Sequence, residues 1–140
     1  MARYIIHTDG GSRGNPGHAG IGVLVEKKLP NGELEIIKEY SEYIGVTTNN
    51  QAEYKAILWA VEYAVFNSLK SIDCYLDSQL VVRQLNGEYK VKKDSLKPIY
   101  NKILEFLPNF DSISFQDVRR EFNEKADKLA NIAMDKAEDL

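Results

Sequence analysis

The chain opens on a period of two and closes on a period of 3.6. From Arg3 to Asp9, Tyr4, Ile6 and Thr8 alternate with Ile5, His7 and Asp9, the pattern of a strand with two different faces. The glycine-rich stretch "GGSRGNPG" that follows Asp9 reads as a loop. A β-branched run at Ile21–Lys27 and another strand pattern at Leu34–Ile44 flank the turn signal Pro30–Gly32. Connections this short predict a three-strand antiparallel meander. The period then changes. From about Asn50 to Asn67, two adjacent stripes, Ala56/Ala60/Tyr63 and Ile57/Val61/Ala64, predict a helix. Ser71–Asp77 predicts a fourth strand, and "SQLVVRQLNG" a short helix stopped by Gly87. Asp94–Leu107 reads as a helix with Pro98 in its first turn, where the missing amide costs little. Ser112–Val118 predicts a fifth strand and Asn123–Ala137 a closing helix. Hairpin strands followed by alternating helices and strands specify an α/β protein with a mixed sheet.

Composition adds bounds. The 140 residues fit one domain, 1–140, with 44% hydrophobic and 28% charged residues. The most apolar run, Ala56–Phe66, is interrupted by Glu62 and too short for a bilayer. Without a secretory leader pattern, and with Cys74 alone inside an apolar strand, a reduced cytoplasmic protein is expected, with no membrane role. The net charge of −3 gives no general basic face. Locally, however, Arg83–Lys102 holds six cations against two anions, whereas Glu121–Leu140 holds six anions against three cations.

Four acids stand on positions that should face inward. Asp9 and Asp77 end strands that a right-handed crossover would set side by side, at the end of the sheet where α/β proteins build sites. Glu53 shares a helical stripe with Ile57, Ala60 and Ala64, and Asp127 with Ala130 and Met134. Each has an ordinary alternative. Asp77 suits a cap before the short helix, Glu53 fits a capping box with Asn50, and Asp127 suits a helix's first turn. Together they would repel by about 3 kcal/mol per pair at ~5 Å and an effective dielectric of ~20. A positive charge between them resolves the repulsion, and all-carboxylate ligands select hard divalent cations, magnesium or manganese. Two such ions suit in-line attack on a phosphodiester.

The blocks "TDGGSRGNPG", "TTNNQAEY", "LDSQLVVRQLNG" and "FNEKADKLA", in this order, resemble the type 1 ribonuclease H family over essentially the whole chain. The resemblance implies a ribonuclease-H-like fold, a five-stranded mixed sheet flanked by helices. It also implies hydrolysis of the RNA strand of RNA–DNA hybrids, leaving 5′-phosphate and 3′-hydroxyl ends, by a monomer holding two divalent cations. By that resemblance Asp9 bridges both metals, Glu53 and Asp77 hold the one beside the leaving oxygen, and Asp127 holds the one beside the attacking water. Asn15, Asn49 and Gln79 would read the minor groove, with backbone contacts from Gly11 and Ser12. Asn50 would touch the DNA strand and Thr48 one of its phosphates. Asn15 in "GNPG" reads equally well as a turn former.

The chain departs from many relatives in three ways. The segment before the last acid has no histidine, and His7 and His18 are both far from it in sequence; Arg120 there suits a contact to the scissile phosphate, or a plain surface turn. No basic helix follows the short helix, only Lys90, Lys92 and Lys93. No separate hybrid-binding domain is expected before the first strand. Double-stranded RNA stays open as a second substrate. The alternatives are a ribonuclease-H-like module that binds nucleic acid with little catalysis, and a nuclease of the same fold acting on DNA.

Overall fold

A computed structural model describes residues 2–138. Five strands, β1 (Arg3–Gly14), β2 (Gly17–Lys28), β3 (Leu34–Thr47), β4 (Ser71–Leu76) and β5 (Ser112–Asp117), form one sheet in the order β3-β2-β1-β4-β5. β1, β2 and β3 pair antiparallel, while β4 joins β1 and β5 joins β4 in parallel. The helices are α1 (Asn49–Phe66), α2 (Gln79–Leu85), α3 (Lys97–Phe106) and α4 (Glu124–Glu138), with single 3-10 turns at Leu107–Asn109 and Arg120–Phe122. This is the expected meander followed by parallel crossovers.

The glycine-rich stretch is not a loop. β1 continues past Asp9 to Gly14, and Gly10–Gly14 pairs residue by residue with Gly17–Ile21. Asp9 therefore lies within a strand, opposite Gly22. Gly10 of this stretch and Gly22 of β2 serve contacts between layers. A Cβ on Gly10 would stand 2.2 Å from the Ala52 carbonyl of α1, and one on Gly22 would stand 2.2 Å from the Ala126 carbonyl of α4. Only a residue without a side chain lets each helix come so near.

The helix starts also differ from expectation. Thr48, extended at φ −82° and ψ 159°, caps α1, its hydroxyl accepting from the Gln51 N–H at 3.2 Å. The cap of α1 is thus Thr48 and not Asn50, because Asn50 is already helical, and the Gln51 side chain accepts from the Thr47 hydroxyl. Glu53 has no capping duty. α3 begins at Lys97, three residues later than expected, and keeps Pro98 in its first turn.

Ile6, Val23, Tyr54, Ile57, Ile72, Ile103 and Phe115 form the main core, where α1 covers the sheet and α3 packs against α1. On the opposite face α4 lays Ala126, Ala130, Ala133 and Met134 over β2. Cys74 is a free thiol in the core, its pKa pushed up to about 12 by burial. Among the described residues no helix is long and apolar enough to cross a membrane.

Candidate active site

Each acid is placed by a different element. β1 carries Asp9, and Asp77 follows the last residue of β4. The parallel register sets His7 beside Tyr75, so two residues further along each chain Asp9 stands beside Asp77. Glu53 stands one turn into α1, and Asp127 in the first turn of α4. All four line one open cleft of about 330 Å³, together with Gly10, Gly11, Ser12, Arg13, Asn49, Arg120, Asn131 and Met134. Proximity, the condition on which the sequence argument depends, is met.

The charges in this cleft are under strain. Burial, the charge of Asp77, and the hydrogen bond and charge of Asp127 raise the Asp9 pKa to about 8, with Glu53 adding to the effect. Burial raises Glu53 to about 7, and the charge of Asp77 adds to it; hydrogen bonds from Ser78 and Asn49 work in the other direction. Asp77 is also raised, chiefly by burial and also by the charge of Asp127, with its own backbone amide and the Arg120 charge opposing. Two cations stand on the rim. Arg13 pairs with Asp135 at 2.6 Å and donates to Asn131 at 3.4 Å. Arg120 approaches Asp127 to 3.6 Å but stays largely exposed. At neutral pH the cleft must hold protons or additional positive charge.

A hard divalent cation fits the donor set, which is entirely carboxylate oxygen. Among the described residues no three acidic, histidine or cysteine groups close around a single point. The acids face an open cleft and so offer part of a coordination shell, leaving room for water and substrate oxygens. That arrangement suits magnesium, which keeps several waters and is held by few carboxylates.

The other expected residues divide into two groups. Gly11, Ser12, Asn49 and Arg120 line the acidic cleft. Asn49 is a junction: its backbone N–H donates to Asn15 Oδ1 at 3.0 Å, its Oδ1 accepts from the Ser12 N–H at 3.3 Å, and its Nδ2 donates to Glu53 Oε1 at 3.2 Å. Asn15 therefore braces the site through Asn49. Thr48 is the α1 cap, Gln79 is exposed at the start of α2, and neither lines the acidic cleft. Asn50 instead lines a neighbouring cleft of about 540 Å³ with Leu80, Gln84, Glu88, Tyr89, Lys90, Lys92, Lys93 and Leu96.

Sequence reasoning missed Arg13, Asn131 and Asn123. Asn131 Nδ2 donates to the Asp127 carbonyl one turn back, at 3.0 Å. Its i+4 spacing from Asp127 was the available signal. His7, remote in sequence from the segment before Asp127, lies 3.1 Å from Asn123 once the chain folds.

Comparison with known proteins places the fold and the family. Residues 7–133 match the family model described as "Reverse transcriptase-like". The chain is 42% identical to Ribonuclease HI of Halobacterium salinarum, over 96% of this chain and 66% of that one. It is 38% identical to a "Bifunctional protein" of Mycobacterium tuberculosis, over 96% of this chain, and spans only 36% of that relative's length. With Ribonuclease H of Ruthia magnifica it shares 33% identity, covering 97% of this chain and 98% of the relative. The crystal structure of RNase H1 from Halobacterium salinarum superposes with a TM-score of 0.88 at 40% identity, covering 96% and 98% of the two chains. LC11-RNase H1, solved in complex with an RNA/DNA hybrid, superposes at 0.85 with 43% identity and the same coverage. With four acids in one cleft on this sheet, and a match extending over nearly the full length of a relative, the chain belongs to the type 1 ribonuclease H family.

Proposed function

We propose that this chain is an endoribonuclease that hydrolyses the RNA strand of RNA–DNA hybrids, leaving 5′-phosphate and 3′-hydroxyl ends. The observation that carries the reading is the convergence of Asp9, Glu53, Asp77 and Asp127 on one open cleft, with Asp9 and Glu53 holding protons far more tightly than free carboxylates do. The family is divalent-metal dependent. Two magnesium or manganese ions held by these acids would supply Lewis-acid stabilisation of the attacking and leaving oxygens in an in-line displacement.

The chain's own residues arrange the rest. Asp9, whose ionisation is opposed by the other three acids, is central and best placed to be shared between two cations. Glu53 and Asp77 would hold one of these and Asp127 the other. Arg120, exposed on the rim, suits the scissile phosphate; a guanidinium stays charged near neutrality and so acts by charge and not by proton transfer. Asn49 holds Glu53 in place and keeps the Ser12 N–H at the lip. The buried Ser12 hydroxyl has no hydrogen-bond partner among the described residues. An unpaired buried polar group costs about 1–3 kcal/mol.

Hybrid selectivity fits the amides around the cleft. By the family resemblance Asn15, Asn49 and Gln79, with the Gly11 and Ser12 backbone, would test the minor groove, where the 2′-hydroxyl distinguishes RNA from DNA. The neighbouring cleft offers Asn50 with Lys90, Lys92 and Lys93 to the DNA strand, and Thr48 offers a phosphate contact. The acidic site is complete within one chain, so a monomer suffices.

The test is incubation with end-labelled RNA–DNA hybrid, duplex RNA and duplex DNA, each with magnesium, manganese or chelator. Metal-dependent cutting of the RNA in the hybrid is expected, and cutting of duplex RNA would widen the substrate range. Cutting of DNA alone, or cutting that survives chelation, rejects the proposal. Metal-dependent hybrid binding without turnover would support the alternative of a catalytically weak binding module.

A further inference from the structure

Asp9, Asp77 and Asp127 come from three elements, and just outside the cleft one buried side chain ties the start of α4 to β1, where the His7 ring reaches β4. Asn123, immediately before α4, is 1% exposed. Its backbone carbonyl accepts from the Asp127 N–H at 3.1 Å, in the opening turn of the helix. Its side-chain Nδ2 reaches β1 and donates to the Thr8 carbonyl at 2.9 Å, one residue before Asp9. A carbonyl can only accept, so this bond fixes the amide orientation and turns Oδ1 toward His7 Nδ1, 3.1 Å away. Oδ1 can also only accept, so His7 must carry its proton on Nδ1. The His7 ring is stacked on Tyr75 of β4, with centroids 5.4 Å apart and planes 26° from parallel. Tyr75 stands two residues before Asp77.

We propose that Asn123 and His7 are positioning residues for hybrid cleavage: a latch that fixes the start of α4 against β1 and β4, and so sets Asp127 relative to Asp9 and Asp77. Neither lines the acidic cleft. Both border a separate groove with Leu24, Glu26 and Phe122, so the latch acts from outside the reacting centre. The inference rests on the nuclease reading above for its effect on turnover, but the bonds themselves are independent of it. A histidine that the chain order places far from the last acid thus has a role at that acid's helix.

The deciding variants separate the hydrogen bond from the packing. His7→Phe keeps a ring on Tyr75 and loses the donor, whereas His7→Gln restores an N–H donor. His7→Phe should lower kcat on a labelled hybrid by about 10- to 100-fold, the range for displaced catalytic groups and their supporting shells, with KM within about twofold. Binding of Mn2+, followed by the paramagnetic resonance of the free ion, should weaken in parallel. His7→Gln should recover most of both. Asn123→Asp, which keeps the acceptor and loses the Nδ2 donor, should resemble His7→Phe; if it does not fold, the His7 pair decides alone. A purely structural role would lower the melting temperature and leave kcat and Mn2+ affinity of the folded protein intact, which overturns the proposal. If the wild type binds Mn2+ without cutting any hybrid, the nuclease reading fails and the latch is judged on Mn2+ affinity. If the wild type neither cuts nor binds Mn2+, both fail.

Discussion

Replacing Asp9 by asparagine should destroy turnover and make the metal-free protein more stable. In the folded chain the Asp9 pKa is raised from 3.8 to about 8, first by burial and then by its acidic neighbours. Between those two values the folded protein holds a proton that the unfolded chain has released. Stability therefore falls by about 1.4 kcal/mol per pH unit as pH rises through this window, and levels off above about 8. At pH 7 the wild type has lost about 4 kcal/mol relative to pH 3.8, given the folded value near 8. Asparagine keeps an N–H donor for the bond to Asp127 and has no charge to lose, so Asp9→Asn should be spared that loss. At about 3–4 °C per kcal/mol for a domain of this size, its metal-free melting temperature should exceed wild type by about 12 °C at pH 7, about 5 °C at pH 5, and not at all near pH 4. Manganese at 100 times its dissociation constant should stabilise wild type by about 2.7 kcal/mol and so narrow the gap. The assay is thermal unfolding by circular dichroism at several pH values, in chelator and in metal. A variant that melts below wild type, or a difference that ignores pH, would show Asp9 to be a structural acid and refute the reasoning.

Metal binding should also displace protons. With Asp9 near 8 and Glu53 near 7, roughly one and a half protons should leave at pH 7 and almost none above pH 9, so affinity should rise across that interval. Calorimetry in two buffers of different ionisation enthalpy counts them, and a count of zero at pH 7 contradicts the shifted acids. Gly22→Ala should press a methyl group against the Ala126 carbonyl and shift α4, costing about 1–3 kcal/mol on denaturant melts and at least tenfold in kcat. Arg120→Ala removes an exposed ion pair and should change stability by less than about 0.5 kcal/mol, yet slow hybrid cleavage about tenfold. Unchanged cleavage would make Arg120 an ordinary surface residue.

The acids were legible because periodicity reports faces directly. Alternation put Asp9 on the face shared by Ile5 and His7, and helical spacing put Glu53 in line with buried Ile57 and Ala60. What escaped the reading depends on residues distant along the chain. Gly10 and Gly22 look locally like strand breakers; the reason for them lies in Ala52 and Ala126, which no local window contains. The contact of His7 with Asn123 spans 116 positions and exists only after α4 lies on the sheet. The misplaced helix cap is a different case, because Thr48-x-x-Gln51 was visible all along. Two overlapping matches to one short pattern competed, and backbone geometry at Thr48 decided between them.

The seats of α1 and α4 on Gly10 and Gly22 have a practical consequence. At these two points main chain rests on main chain, with no rotamer free to swing aside and absorb an error. A slightly displaced helix would still cover its core while presenting its acid to the wrong place. Mutational damage here should therefore cost more in activity than in stability, and a screen that ranks variants by expression or melting point would understate it.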